Sequence, residues 1–283
     1  MENQVYRIVE DQGVSYLEFK ILDPYKDYIR HGITLRYGGV SPSPYDSLNF
    51  RLGGKDSKEN VMENVKRICD RLHIPKEQLY KARQAHTDHV LVIHSKNKEK
   101  YAYGVFNEEL ADGYIVKEKG IATMVTTADC NPIILYDPVT QVVANIHSGW
   151  KGTIKQIYLK AIELLKQEFS VQPENLIVCI GPSIRKCCFS SEEESFKEKF
   201  TQVFENPEKY ITYEKENQKR FHIDLIYVIT QDLLNVGVKR ENIAVADICT
   251  RCHHDEFFSY RYALQNHEKD YGLMATIVGL LPF

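Results

Sequence analysis

Two short apolar runs, Pro132–Tyr136 and Gln141–Ile146, flank the polar stretch Asp137-Pro138-Val139-Thr140. Asp at the first place and Pro at the second favour a turn, so the segment is predicted to be a β-hairpin. A loop symmetric about Pro138 and Val139 sets Cys130 directly opposite His147, on one face of the two strand ends, with Cβ atoms about 4.5–5.5 Å apart. A loop of odd length would send the two side chains to opposite faces. The same apolar signals predict strands over Val14–Phe19 and Ile33–Leu35, on either side of a turn at Asp23–Asp27. Leu79–Arg83 and Val90–His94 are predicted strands around the polar connector Gln84–His89. Gly113–Val116, Gly120–Thr126, Asn175–Ile180, Ile243–Ile248 and Thr276–Leu281 complete the set.

Helical spacing is clearest at Val61, Val65, Ile68 and Leu72, preceded by Asp56 as N-cap with Glu59 three residues on. Ile154, Ile157, Ala161, Leu164 and Leu165 make a second stripe ending near Phe169, and further helices are expected around Ser191–Phe204 and over Asp224–Leu234. Arg36–Phe50 is too rich in Gly, Pro, Ser and Asp for a regular element and reads as a long loop, and Asn206–Lys219 reads as a polar insertion. Strands and helices interleave, with no internal repeat and no compositional break. The expected fold is α/β, a single compact domain over residues 1–283 with mixed β-sheets in layers flanked by helices.

Composition adds limits. In 283 residues, 43% are hydrophobic and 27% charged, ordinary for a globular chain able to bury a core. A net charge of -3 argues against nucleic acid or an anionic membrane as the main partner. The N-terminus has no basic segment followed by an apolar core, and the longest apolar run, Gly272–Phe283, is too short to span a bilayer. A cytoplasmic location is expected. The seven cysteines are then reduced thiols or metal ligands rather than a disulfide framework.

Either His86 or His89, in the connector between two strands, can join Cys130 and His147. A His/Cys/His set suits zinc and leaves a fourth position for water or substrate. Past His147, the turn Ser148–Thr153 leads into a helix start, where backbone N–H groups and Lys151 can hold an anion. The competing reading is a plain connector with Thr153 as cap. Cys249-Thr250-Arg251-Cys252-His253 matches the haem-attachment pattern, which needs export, and with His254 it resembles half of a zinc site whose other half Cys187-Cys188 can supply. Cys69 and Cys179 read as core residues, and His31 as a buried or exposed scaffold residue.

Arg83-Gln84-Ala85-His86, Thr127–Pro132, His147–Gly152 and Phe258-Ser259-Tyr260-Arg261 together resemble the YfiH/YlmD family. Tyr37–Ser41, Ser47-Leu48-Asn49 and Gly181–Ile184 resemble its other signatures. The family was once named laccase-domain or multicopper polyphenol oxidase, and its members are described as zinc-dependent purine nucleoside phosphorylases. The resemblance implies that His86, Cys130 and His147 are the metal ligands. It also implies phosphorolysis of adenosine, inosine, guanosine and methylthioadenosine, with hydrolytic deamination of adenosine; purine nucleosides and phosphate are the implied partners. Asp129 is then a candidate acid/base or ligand-orienting residue, and Arg36, Asn49, Lys151 and Arg261 are candidate substrate contacts. Ser148, Lys151 and Tyr262 stand where the family commonly has Ala, Arg and a second Arg, and a glycine-arginine pair is missing from Asp270–Ala275. These departures bear on substrate preference, not on the three ligands.

Two other chemistries fit parts of the pattern. A multicopper oxidase needs several histidines beyond one His₂Cys site, usually as His-x-His pairs, and none of the ten histidines forms one, although copper binding at a His/Cys/His site is plausible. A thiol hydrolase or deamidase would use Cys130 as nucleophile and His147 as its base.

Overall fold

The computed structural model describes residues 4–283, so Met1–Asn3 of the expected domain lie outside the described residues. Two six-stranded sheets lay out the core. One runs in the order Tyr6–Asp11, Val14–Phe19, Ile29–Thr34, Met274–Leu280, Ile121–Thr127, Leu79–Tyr80. The other runs Ile243–Val245, Ile177–Ile180, Asn131–Asp137, Val142–Ser148, Gly113–Val116, Val90–Ile93. Both are mixed: Leu79–Tyr80 is parallel to its neighbour in the first sheet, and Val90–Ile93 and Ile243–Val245 in the second, while the other pairs are antiparallel. Six α-helices accompany them: α1 (Lys58–Leu72), α2 (Trp150–Ile154), α3 (Ile157–Phe169), α4 (Glu194–Thr201), α5 (Leu225–Asn235) and α6 (Tyr260–Gln265).

The sheets pack face to face. Leu17, Ile33 and Val125 of the first meet Tyr114, Ile134, Tyr136 and Val143 of the second. The outer face of the first sheet is covered by Val65, Ile68 and Leu72 of α1, and that of the second by Ile157, Ala161 and Leu165 of α3 with Ile229 and Leu233 of α5. The layers therefore run helix, sheet, sheet, helix. The central strands are buried on both faces, which is why they read as unbroken apolar runs rather than alternating ones. A third, small sheet of Ser190–Ser191, Phe221–Ile223 and Ile211–Tyr213 packs with α4 through Phe189, Phe200 and Phe221.

Several boundaries differ from expectation for identifiable reasons. The hairpin turn is centred one residue later, pairing Asp137 with Val142 and Pro132 with His147. Asp137 accepts from the backbone of Val139 and Thr140, and Gln141 adopts a left-handed conformation. Cys130 is thus two residues out of direct opposition to His147. Because the slip is even, both keep the same face. The N-cap of α1 is Ser57, whose hydroxyl accepts from Asn60 N, while Asp56 accepts from Ser57 N and Asn60 Nδ2. The stripe from Ile154 onward is broken by left-handed Gln156 into α2 and α3, and α2 is capped by Gly149, not Thr153. The Leu79–Arg83 run is a strand only over Leu79–Tyr80. The polar insertion contains the strand Ile211–Tyr213, recruited by pairing with Phe221–Ile223.

His31 lies in the core, where its Nε2 accepts from Phe19 N at 2.8 Å. Burial, reinforced by Arg7, lowers its pKa from 6.5 to about 4. The folded state thus holds His31 neutral while the unfolded chain takes up a proton below pH 6.5, so stability falls as pH drops from there toward 4. The full loss is on the order of 3 kcal/mol. Urea midpoints across that window should fall for the wild type and fall less for His31→Gln, whose amide oxygen can still accept from Phe19; equal slopes would rule out His31 as a source.

Candidate metal centre

Three elements converge at one end of the hairpin. Cys130 sits at the bend just before the strand Asn131–Asp137, His147 near the end of Val142–Ser148, and His86 in the connector after Arg83. One donor atom from each lies within 4.8 Å of the other two. Cys130 Sγ is 3.8 Å from His86 Nε2, and the two imidazole rings meet edge to face with centroids 4.9 Å apart. A tetrahedral ion with N and S ligands requires S···N edges of about 3.6 Å, close to the Cys130–His86 separation. No fourth His, Cys, Asp or Glu donor completes the group among the described residues.

The connector is shaped by Asp112, which stands just before the strand Gly113–Val116 and is fully buried. Its carboxylate accepts from the backbone N–H groups of Ala85, His86 and Thr87 and from the Thr87 hydroxyl. The same carboxylate lies 2.7 Å from His147 Nδ1, leaving Nε2 for the metal side. Burial alone would raise the Asp112 carboxyl, but the His147 ring and the Thr87 donors outweigh it and hold it well below the usual carboxylate range. Nothing in the local sequence marks Asp112. Its position at the head of the strand beside the hairpin is the signal that would have found it, once strand order is known.

Electrostatics preset the ligands. Burial would push the Cys130 thiol up, yet His147 and then His86 bring it down to about 7. Burial would likewise depress His147, yet the Cys130 thiolate and Asp112 raise it to about 9. The shifts run in opposite directions, each side chain favouring the charged form of the other. Close approach is permitted by Gly149: a Cβ there would stand 2.8 Å from Cys130 Sγ and 2.8 Å from His86 Cδ2. His86 and Asp129 both hold positive φ, 56° and 84°, backbone geometry that costs non-glycine residues of order 1–3 kcal/mol and clusters at functional sites.

The three donors open on a cavity of about 1110 Å³. Lys151, expected as a substrate contact, lines it, together with Arg51, Lys81, Arg83 and the aromatic rings of Trp150, Tyr260 and Tyr271. Burial lowers the Lys81 ammonium to about 8. His89 lies outside the donor cluster, exposed, its N–H donating to Thr87 Oγ1. The remaining sequence candidates do not line the cavity. Arg36 donates to Asp46 O and His254 O and lies over the Phe258 ring. Asn49 donates to Asp56 and accepts from Arg51 N and Leu273 N. Arg261 donates to Cys188 O and Ser190 O. Asp129 is buried, accepting from Thr250 Oγ1 at 2.7 Å and from Arg261 N, in the first turn of α6, at 2.6 Å. Burial raises the Asp129 carboxyl against those donors.

Comparison with known proteins places this geometry in context. The profile of the family described as "Multi-copper polyphenol oxidoreductase laccase" matches residues 30–281. The chain is 32% identical over 252 residues to a protein of Bacteroides thetaiotaomicron named purine nucleoside phosphorylase, covering 87% of this chain and 90% of that one. It is 28% identical to the purine nucleoside phosphorylase YlmD of Bacillus subtilis, covering 88% and 87%. The crystal structure of YlmD from Geobacillus stearothermophilus superposes with a TM-score of 0.87 at 25% identity, covering 99% of this chain and all of that one. No helix among the described residues is long and apolar enough to cross a membrane. With residues 30–281 matched by the family and nearly the whole length superposed on a solved member, the chain belongs to the YfiH/YlmD laccase-domain family.

Proposed function

We propose that the chain is a zinc-dependent purine nucleoside phosphorylase of broad specificity, acting on adenosine, inosine, guanosine and methylthioadenosine and also deaminating adenosine. The observation that carries this reading is a three-donor His/Cys/His cluster with no fourth protein donor, opening on a cavity lined by cations and aromatic rings. Three protein ligands with an open corner are the pattern of catalytic rather than structural zinc. The relatives named purine nucleoside phosphorylase supply the substrate class.

Zinc in this set would supply Lewis-acid polarisation of a phosphate or water oxygen. Asp112 keeps the proton on His147 Nδ1 and fixes the ring, the usual arrangement behind a metal-bound imidazole. Lys151, with Lys81 and Arg83 also lining the cavity, supplies charge to bind and orient phosphate, while Arg51 is ion-paired with Asp270. Tyr260 and Tyr271, with ring centroids 5.1 Å apart, offer faces on which a purine can stack. A cavity of about 1110 Å³ is at the upper end of small-molecule sites and has room for a nucleoside, phosphate and a 5′ substituent. Asp129 and Arg261 act as positioning residues behind Cys130, and Arg36 and Asn49 set the loops that form the rim. A location in the cytoplasm, where phosphate and nucleosides are available, belongs to the same proposal.

The approach of Cys130 Sγ and a His147 ring nitrogen to within 4.8 Å also favours a second reading, in which metal-free Cys130 is a nucleophile and His147 its base. Metal content separates the two.

Purine base should be released from inosine and adenosine only when phosphate is supplied, and adenosine should additionally yield inosine without it. Cys130→Ala should lose the zinc of the His86/Cys130/His147 cluster and slow both reactions about a hundredfold or more, the several kcal/mol a Lewis acid supplies. Full activity in zinc-free protein would instead establish the thiol reading, and activity restored by copper alone the oxidase-type metal. Asp112→Asn should weaken zinc binding about 10–100-fold, read by chelator competition; unchanged affinity would remove Asp112 from the site's support. Gly149→Ala should lower zinc occupancy while the chain stays folded by circular dichroism, since the added methyl meets Cys130 Sγ and His86. Full occupancy would show that the close approach is not required.

A further inference from the structure

Four cysteines the metal centre does not use meet at one point. Cys187 and Cys188 lie in the loop after the strand Ile177–Ile180, and Cys249 and Cys252 in the turn after Ile243–Val245. Their Sγ atoms all lie within 4.8 Å of one another. Cys252 Sγ is 3.8 Å from Cys187 Sγ and 3.4 Å from Cys188 Sγ, and all four cysteines are free thiols. Disulfide sulfurs stand about 2.05 Å apart, whereas the edge of a zinc tetrathiolate with bonds of about 2.3 Å is about 3.8 Å. The four sulfurs thus have the separations of ligands around one ion rather than of a bonded pair.

The surroundings suit such an ion. The two loops are held in register by a parallel bridge between Ser183 and Cys249 and by Thr250 N donating to Ser183 O. Arg185 N points its hydrogen at Cys249 Sγ from 3.5 Å, the kind of donor that stabilises thiolate charge. The buried Arg185 side chain, with a guanidinium nitrogen 3.4 Å from Asp247, brings a cation to the same loop. Binding of Zn²⁺ would release the four thiol protons to solvent and leave the centre with a net charge of about −2, facing that cation.

We propose that Cys187, Cys188, Cys249 and Cys252 form a second, structural metal site that takes zinc, closed by four thiolates and separate from the His86/Cys130/His147 cluster. It clasps the loop carrying Cys188, whose carbonyl accepts from Arg261, to the turn carrying Thr250, whose hydroxyl donates to Asp129. Asp129 immediately precedes Cys130, so the clasp supports the backbone of the first site from behind.

The test uses Cys130→Ala, in which the three-donor cluster is broken. Purified after zinc loading and desalting, it should retain about one zinc per chain, and X-ray absorption at the zinc edge should give four sulfur neighbours at about 2.3 Å. Cys130→Ala/Cys252→Ser should retain close to none. A Cys130→Ala protein without zinc, zinc with nitrogen or oxygen neighbours, or undiminished zinc in the double variant would each overturn the proposal. If the double variant fails to fold, the absorption spectrum of the folded single variant decides. Because the first site is already disabled in these proteins, failure here leaves the phosphorylase reading standing.

Discussion

The buried carboxylate of Asp112 is the constraint on which the geometry of the His86/Cys130/His147 cluster depends. It faces two partners at once: backbone and side-chain donors of the connector Ala85–Thr87, and the imidazole of His147 on the neighbouring strand. A fully buried carboxylate carries a large desolvation cost unless every lone pair finds a donor. Here that requirement fixes where His86 and His147 stand relative to each other. The remaining donor, Cys130, comes from the other arm of the hairpin, and Gly149 lets it approach His86. A donor cluster built in this way is set by one connector tied to the sheet through Asp112.

The layered core supplies the rigidity. The hairpin that carries Cys130 and His147 lies in the middle of the second sheet, between the shared sheet–sheet core and the helices α3 and α5. Asn145, in the same strand as His147, reaches across to donate to Thr123 O and Thr276 O of the first sheet. A side chain tied to both layers resists sliding of one against the other. The cavity is lined by Cys130 and His147 of the hairpin and by cationic and aromatic side chains from the segments around it.

The apolar runs exposed the central strands and α1 because those segments are uninterrupted and strongly patterned. They also placed Cys130 and His147 on a common face even though the turn was centred one residue away from expectation, since an even slip conserves parity. What escaped is tertiary in origin. Asp112 carries no motif, and its meaning comes only from the strand it borders. The strand Ile211–Tyr213 is held by its neighbour Phe221–Ile223 rather than by its own composition. Arg36, Asn49 and Arg261 sit in recognisable motifs, yet their polar groups are spent on loop carbonyls, the Asp56 carboxylate and backbone donors, a commitment that no spacing reveals. Cys187, Cys188, Cys249 and Cys252 were visible as two pairs, but their meeting required the parallel bridge between Ser183 and Cys249.

The two proposed metal sites would divide the labour: three donors and an open corner where a reactant is to be handled, four donors and no opening where loops are to be held. The most direct measurement of the central claim is an anomalous-difference map at the zinc edge from crystals of the zinc-loaded protein soaked with phosphate. The account predicts a peak bonded to His86 Nε2, Cys130 Sγ and His147 Nε2, with a phosphate or solvent oxygen at the fourth corner facing the cavity. No peak between those three side chains, or a fourth protein donor closing the corner, would contradict it.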